Sequence, residues 1–309
     1  MHATQTAESG KVEKSGLFDL ALGSRSTEAG IIMSTILITG ASTGFGRSLA
    51  TEALCRGHQV ALAVRNPESV ADLVGEYPGK AHAIRFDLTK PADAERAVRE
   101  TVEQFGSLDV LINNAGYGLL AALEETTDEQ LTRNLETNFT GPFRMIRAVL
   151  PVMRAQKSGR IISLSAIAAY ANHPGFAVYA GAKAALDAAC DAAAQETASL
   201  GIKFTQVIPG PFRTDFIGRS LDHAERLPDY EATVGKFGAY LAKVNGKQPG
   251  DPIAASRLIL DLLGEEKPPF RLVIGHYATT MLSKKIAANA SELEAWKERG
   301  LATDFPAGT

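Results

Sequence analysis

The chain has 309 residues, 45% of them hydrophobic, so it can bury a core large enough for one sizeable α/β domain or two small ones. Its net charge of −3 excludes the strongly basic surface that nucleic acids or anionic membranes require. No apolar run reaches the roughly 18 residues that span a bilayer. The histidines show no metal-ligand spacing, so neither a membrane span nor a metal site is predicted.

The first 32 residues differ from the rest because they lack hydrophobic periodicity and carry several acids. They fit neither a transit peptide nor a secretory signal. We predict a disordered extension over residues 1–32, or a segment translated from an upstream start, with a weakly indicated short helix at Leu17–Leu22. A single domain then covers residues 33–309.

The two cysteines, Cys55 and Cys190, lie far apart in helix-like contexts. A disulfide between them is conceivable, but two reduced, packed thiols are favoured. Reduced thiols are typical of a cytoplasmic protein.

An apolar run of strand length, Thr35–Thr39, leads directly into a glycine-rich turn and then into helix-forming residues 47–56. In this context Gly40 allows a tight turn, Gly44 lets the backbone approach a pyrophosphate, and Gly46 allows close packing of helix on strand. The free N–H groups and positive dipole of a helix N-terminus favour the same anion. The pattern predicts a dinucleotide site whose ligands are Gly40, Ser42, Thr43, Gly44, Phe45 and Gly46.

The end of the second predicted strand, His58–Val64, indicates which dinucleotide binds. In such folds this position faces the adenosine ribose, where an acid bonds the 2′-hydroxyl and a base pairs with a 2′-phosphate. Arg65 is a permanent cation and no acid accompanies it, so NADP is favoured over NAD. Arg47 is a second candidate, and each arginine has the alternative of being an ordinary solvated cation.

Two further strands end in residues suited to contact a ligand. Ala81–Phe86 is followed by Asp87, which is placed to meet the adenine amino group or, alternatively, to cap the helix starting near Pro91. Asp109–Asn113 runs into small residues that let the backbone pass close to a ligand. The cofactor contacts predicted here are Asp87, Leu88, Asn114, Ala115 and Gly116.

A long helix is predicted over Asp128–Lys157, with Asn138, Gly141 and Pro142 inside it. Asparagine and glycine are poor residues in the middle of a helix. We therefore expect a kink or a water-bound carbonyl at this point.

After the fifth strand, Arg160–Ser165, and a loop at Ala166–Ala177, an alanine-rich helix carries Tyr179 and Lys183. Residues four apart share one helix face, so the phenol and the ammonium are neighbours. Such a pair can serve as a proton donor and the cation that tunes it, although surface helices also contain it by chance. The alanines suit close helix–helix approach, which makes this helix a candidate subunit interface.

The sixth strand, Gly201–Ile208, ends in a rigid turn at Pro209–Thr214. Residues 215–250 lack strand signals and are predicted to form a lid of one or two mobile helices. Phe270–Ile274 is the seventh strand. Helices are also predicted over residues 91–105, 253–263 and 278–297.

Strands alternate with helices from residue 35 to residue 275. This alternation predicts an α/β fold of the Rossmann type, a doubly wound parallel sheet of about seven strands with helices on both faces. Ligands then bind at the carboxyl ends of the strands. The substrate pocket is expected between the lid and the Ile167–Phe176 loop, with Tyr170, His173 and Phe176; a solvated His173 is favoured over one that orients substrate.

With these elements placed, the sequence resembles the single-domain short-chain dehydrogenases/reductases over about residues 34–275. Thr39–Gly46 looks like the cofactor fingerprint of that family, Asn113–Gly116 like the motif that braces its central strands, and Tyr179 with Lys183 like its catalytic pair. The turn with Pro209, Gly210, Phe212 and Thr214 resembles the family's segment that holds the nicotinamide carboxamide. Asn138 falls where the family has an asparagine at a helix kink.

The resemblance implies hydride transfer between NADP(H) and a small carbonyl or secondary alcohol substrate, in a homodimer or homotetramer. It also implies that Tyr179 exchanges the proton, that Lys183 bonds the nicotinamide ribose, and that Asn138 holds a relay water. A cation about 4 Å from the phenol at an effective dielectric of about 20 contributes around 4 kcal/mol. That equals about three pKa units, enough to bring the pKa of Tyr179 near neutrality.

One departure concerns the serine that the family usually carries thirteen residues before the tyrosine, where this chain has Ala166. Ser165 lies one place earlier, and one place along an extended chain means the opposite face. Either the loop is shifted and Ser165 serves, or the hydroxyl is absent, which we favour. A cofactor-binding sensor or scaffold with weak catalysis is therefore the alternative to a reductase, and a lyase or epimerase built on the same fold is a third possibility.

Overall fold

The computed structural model describes residues 33–305, so the predictions for residues 1–32 lie outside the described part of the chain. Seven parallel strands form the main sheet, which confirms the predicted parallel sheet. They are β1 Thr35–Thr39, β2 Gln59–Val64, β3 Ala81–Arg85, β4 Val110–Asn113, β6 Gly159–Leu164, β7 Ile202–Pro209 and β9 Arg271–Ile274. Their order across the sheet is β3-β2-β1-β4-β6-β7-β9. The chain winds outward from β1 to β3 and then returns to β4, so the strand order reverses between β1 and β4.

Helices cover both faces of this sheet. They are α1 Gly44–Cys55, α2 Ala71–Glu76, α3 Pro91–Phe105, α4 Asp128–Leu135, α5 Gly141–Gln156, α6 Ala177–Thr197, α7 Lys236–Val244, α8 Pro252–Asp261 and α9 His276–Leu301. Successive residues of β1 serve opposite faces: Ile36 and Ile38 pack in one core cluster with side chains of α1 and α8, whereas Leu37 packs in the other with α3, α5 and α6. Both faces of β1 are therefore apolar.

The predicted helix over residues 128–157 is divided into α4, a π-helical turn at Glu136–Thr140, and α5. Asn138 lies in this turn, fully buried, and its amide nitrogen donates to Asn134 O at 3.2 Å and to Tyr117 O at 2.9 Å. A side chain that engages backbone carbonyls interrupts the regular helical ladder. The helical residues thus run without a break from 128 to 156, close to the predicted span, and a π-helical turn lies where a kink or a water-bound carbonyl was predicted.

The segment predicted as a lid contains a strand that the sequence did not indicate. Leu221–His223 (β8) pairs in parallel with Gly118–Leu120 (β5) in a separate two-stranded sheet. A π-helical turn at Glu231–Gly235 then leads into α7. Strands of three residues are too short for a periodic pattern, which explains why both were missed.

The two cysteines are free thiols, but only Cys190 is buried, so the prediction that both are packed is wrong for the exposed Cys55. Across residues 33–305 no group of three or more His, Cys, Asp or Glu side chains is arranged to hold a metal ion. Within that same range no helix is both long and apolar enough to cross a bilayer.

Candidate active site

The carboxyl ends of the strands open into a cleft of about 1080 Å³, at the edge where a doubly wound sheet binds its ligands. The main set of predicted catalytic and cofactor-binding residues lines it with one exception, and the second candidate cation and the substrate wall are described separately below. Those that line it are Gly40, Ser42, Thr43, Gly44, Phe45, Arg65, Asp87, Leu88, Asn114, Ala115, Gly116, Asn138, Ser165, Ala166, Tyr179, Lys183, Pro209, Gly210, Phe212 and Thr214. The exception is Gly46.

Gly46 is a packing residue behind the turn. A Cβ at this position would lie 2.2 Å from Gly40 O and 2.4 Å from Asn114 Nδ2, so no larger residue fits. Gly40 and Gly44 have φ of +70° and +54°, a region that favours glycine. The three glycines therefore set the shape of the turn; Gly46 has the packing role predicted for it, but it does not line the cleft as a predicted ligand would.

The N-terminus of α1 opens into the cleft without a side-chain cap. Its N-cap is Thr43, whose side chain makes no capping bond, and there is no acid in the first turn. The first helical hydrogen bond runs from Arg47 N to Thr43 O, so the amides before Arg47 have no helical acceptor. This end of the cleft suits an anionic group.

Thr39 and Asn114 connect the two central strands where the strand order reverses. Thr39 Oγ1 accepts from the backbone N–H groups of Asn114 and Ala115, both at 3.1 Å. Asn114 Nδ2 donates to Thr39 O at 2.9 Å and Gly40 O at 3.2 Å. Within residues 113–116, which were expected to brace the central strands, Asn114 makes most of the hydrogen bonds that join β4 to β1.

The turn after β7 packs against the glycine-rich turn. The ring centroids of Phe212 and Phe45 lie 5.1 Å apart, and Thr214 Cβ lies 3.5 Å from where a Cβ of Gly44 would be. Gly210 N donates to Ile274 O at 3.2 Å, which ties the turn to β9. Strands that are distant in sequence thereby contribute to one wall of the cleft.

Tyr179 and Lys183 lie side by side in the first turns of α6, 7% and 4% exposed. Lys183 Nζ donates to Leu164 O at 2.7 Å and lies 6.0 Å from the centroid of the Tyr179 ring. Burial lowers the pKa of Lys183 to about 8 and raises the pKa of Tyr179. The expectation that Lys183 brings the phenol pKa near neutrality is therefore not met by the protein alone, because desolvation acts on both groups.

Asn138 and Lys183 both face Gly116. A Cβ on Gly116 would lie 2.7 Å from Asn138 Oδ1 and 3.4 Å from Lys183 Nζ, so a larger residue would fill the space they share. Asn138 Oδ1 is buried and accepts no hydrogen bond from a described residue. A buried acceptor beside a buried ammonium is suited to a small polar group.

Ser165 and Ala166 are both buried and both line the cleft. Ser165 N donates to Val207 O at 2.9 Å, and the Ser165 hydroxyl is buried without a hydrogen-bond partner among described residues. Ala166 has extended backbone angles and belongs to the same apolar cluster as Tyr179 and Phe176. Of these two residues, Ala166 is the one that shares the apolar cluster of Tyr179, and it has no hydroxyl to offer a substrate.

Arg65 follows β2, is exposed, lines the cleft, and makes no hydrogen bond or ion pair with a described residue. Arg47 instead binds Asp72 through both of its terminal nitrogens, one of them at 3.0 Å, and does not line the cleft. Of the two predicted cations, only Arg65 is available to a ligand.

Asp87 uses one carboxylate oxygen to hold its own turn. Asp87 Oδ1 accepts from the N–H and the hydroxyl of Thr89, at 3.1 and 2.7 Å. The N-cap of α3 is Lys90, without a side-chain bond, so the alternative role of Asp87 as a helix cap was wrong.

The predicted substrate wall is partly wrong. His173 and Phe176 line the cleft, but Tyr170 does not, because its hydroxyl binds Asp187 and accepts from Arg271 Nε at 3.0 Å. His173 is half-buried, hydrogen-bonded and stacked rather than solvated. Cleft residues that the sequence analysis did not name include Tyr277 of α9 and, within the predicted lid, Phe216, Phe237 and Tyr240.

The family model described as short chain dehydrogenase matches residues 34–225. An oxidoreductase of Botryotinia fuckeliana, BOA17, is 37% identical over 86% of this chain and 97% of its own. A 3-ketodihydrosphingosine reductase of Bacteroides thetaiotaomicron is 33% identical over 81% of this chain and 90% of its own. A solved short-chain dehydrogenase from Streptomyces avermitilis superposes with a TM-score of 0.84 at 36% identity, covering 89% of this chain and all of that one.

The chain therefore belongs to the short chain dehydrogenase family. It is an oxidoreductase of the class that acts on CH–OH and C=O groups.

Proposed function

We propose that this protein is an NADP(H)-dependent reductase that converts a ketone or aldehyde into the corresponding alcohol. The observation that carries the proposal is the burial of Tyr179 and Lys183 together in a cleft that is also lined by the uncapped N-terminus of α1. A proton donor and an anion site in one cleft suit a dinucleotide with its substrate.

The residues fit a dinucleotide. Gly40 and Gly44 hold the turn at positive φ beside the uncapped start of α1, whose free amides would hold the pyrophosphate. The nicotinamide, when bound, supplies the hydride.

The chain's own part in the reaction is to position the carbonyl and supply a proton. Tyr179 donates its phenolic proton to the oxygen of the carbonyl as that oxygen gains charge. Because burial raises the pKa of Tyr179, the phenol keeps its proton throughout the neutral range. Lys183, positively charged below about pH 8, stabilises the anionic phenolate that the transfer leaves behind.

NADP preference is proposed to depend on Arg65. We expect Arg65→Gln to weaken NADPH binding about tenfold, since a charged hydrogen bond contributes about 1.5–3 kcal/mol and exposure reduces it. NADH has no 2′-phosphate, so its affinity is expected to change less than twofold. Calorimetric titration of both cofactors measures this.

Arg47→Gln is the matched control, because Arg47 is occupied by Asp72 and lies outside the cleft. It is expected to bind NADPH like the wild type. Wild-type protein that binds NADH as tightly as NADPH would refute the role given to Arg65.

Carbonyl reduction is expected to decline as the pH rises through about 8, where Lys183 loses its proton. The rate falls with rising pH because the Lys183 cation is present below its lowered pKa and lost above it. Initial rates with saturating NADPH measure the profile. Lys183→Arg keeps the charge at every accessible pH, so any residual activity of this variant should lack the decline, and a wild-type profile that stays level to about pH 10 would contradict the proposal.

The alternative of a cofactor-binding sensor rests on Ala166. Measuring turnover distinguishes it from the reductase. A panel of ketones and aldehydes is followed by NADPH absorbance. Tight NADPH binding without turnover of any compound, in either direction, would favour the sensor, and conversion without net change in NADPH would favour the lyase or epimerase.

We also propose a cytoplasmic homodimer or homotetramer. The free cysteines support the cytoplasmic location. The assembly is supported by three apolar side chains on α9, Ile286, Leu293 and Trp296, whose exposed fractions are 60%, 72% and 60%. Their spacing of seven and three residues forms one stripe, which a second copy of the helix would cover. A light-scattering mass equal to one chain would rule this assembly out.

A further inference from the structure

A polar pair lies at the substrate side of the cleft. His173 Nε2 and Tyr277 Oη are 2.6 Å apart, a hydrogen bond between the loop after β6 and the first turn of α9. Both side chains are half-buried and both line the cleft. The His173 ring stacks on Phe237 of α7, with centroids 4.9 Å apart and planes 20° apart, so three separate elements fix its position.

The pair is connected to Tyr179 by a continuous row of aromatic rings. Phe176 lies edge-on to Tyr179 with centroids 5.6 Å apart, and Phe237 is 5.3 Å beyond Phe176. On its other side, Tyr179 contacts Phe216, also at 5.6 Å. The wall between the proposed proton donor and the polar pair is therefore apolar, and three ring-to-ring steps separate the two.

From this arrangement we infer that the substrate is an elongated apolar carbonyl compound whose far end carries an uncharged hydrogen-bonding group, such as a hydroxyl or a second carbonyl, held by His173 and Tyr277. The inference rests on the proposed function. The aromatic rings bury the apolar body, and the polar pair fixes its length and register.

The chemistry of the pair suits an uncharged group. In a hydrogen-bonded imidazole and phenol, one heteroatom still donates and another still accepts, whichever tautomer is present. Burial lowers the pKa of His173, so the ring is neutral near pH 7. Two arginines that line the same cleft each lie 3.5 Å from a carboxylate, Arg133 from Asp222 and Arg219 from Asp215, so their positive charge is balanced by acidic neighbours.

The test compares two probes that differ by one hydroxyl, 4-acetylbiphenyl and 4-acetyl-4′-hydroxybiphenyl. Each is titrated calorimetrically into full-length protein saturated with NADP. The hydroxylated probe is expected to bind about threefold to tenfold tighter, the range of one net hydrogen bond. Tyr277→Phe, which keeps the ring, is expected to reduce this ratio to below twofold.

Tyr230→Phe is the control, because its hydroxyl binds Glu124 at 2.6 Å and does not line the cleft. This variant should keep the wild-type ratio. A wild-type ratio of one, a ratio retained by Tyr277→Phe, or failure of both probes to bind would each overturn the inference. If the inference fails but other carbonyl compounds in the panel are reduced, the proposed reductase function still holds. If no compound leads to NADPH consumption, the proposed function itself is wrong.

Discussion

Tyr179→Phe is expected to lower carbonyl reduction by about 10² to 10⁴, the usual contribution of a positioned general acid. The phenol is 7% exposed, so bulk water has little access to replace it. Its apolar neighbours Phe176, Phe216 and Ala166 carry no proton donor. The loss should appear in kcat, measured by NADPH oxidation with the best compound of the panel.

The variant keeps the ring that packs against Phe176 and Phe216, so NADPH affinity and the melting temperature should stay close to the wild-type values. Tyr170→Phe is the matched control: it also removes a partly buried hydroxyl, but one bonded to Asp187 outside the cleft. It should retain most of the activity. If Tyr179→Phe loses less than tenfold in kcat, the phenol is not the proton donor.

The sheet could be predicted because short, mainly apolar runs alternate with turns and helices along the chain. The run at residues 35–39 is buried on both faces, as its lack of alternation indicates. The edge of the sheet where ligands bind follows from the parallel order alone. That is why residues from six separate turns could be assigned to one cleft before any contact was known.

The substrate side could be predicted only in part, because contacts that decide it join residues about 100 positions apart. Tyr170 and His173 are three residues apart in one loop and look equivalent in sequence. The structure turns Tyr170 towards Asp187 and Arg271, and His173 towards Tyr277. No local periodicity distinguishes the two.

The sequence argument for the phenol pKa failed for a different reason. It counted the Coulomb attraction of Lys183 at an assumed distance and left out the cost of removing both groups from water. With both nearly fully buried, that cost raises the pKa of Tyr179 and lowers the pKa of Lys183. The pair in the protein alone is suited to hold a proton, which is the state that the proposed reduction requires.

Ala166→Ser is expected to raise turnover by about 10² to 10³, the effect of adding one hydrogen-bond donor to a developing oxyanion. Ala166 is 7% exposed and shares the apolar cluster of Tyr179, so a hydroxyl there lies on the side of the phenol. In the absence of substrate the new hydroxyl has an apolar surrounding, and an unpaired buried hydroxyl costs about 1–3 kcal/mol. A gain in kcat together with a lower melting temperature is therefore expected.

Ser165→Ala separates this explanation from a shifted loop. The Ser165 hydroxyl is buried without a partner among described residues, so its removal should leave stability the same or slightly higher. If Ala166 occupies the donor position, Ser165→Ala keeps its turnover and Ala166→Ser gains. If Ser165 serves instead, Ser165→Ala loses about 10² to 10³ and Ala166→Ser gains nothing. Successive residues of an extended chain face opposite ways, so at most one of these two side chains can reach the substrate oxygen beside Tyr179. A change in turnover is therefore expected in only one of the two variants.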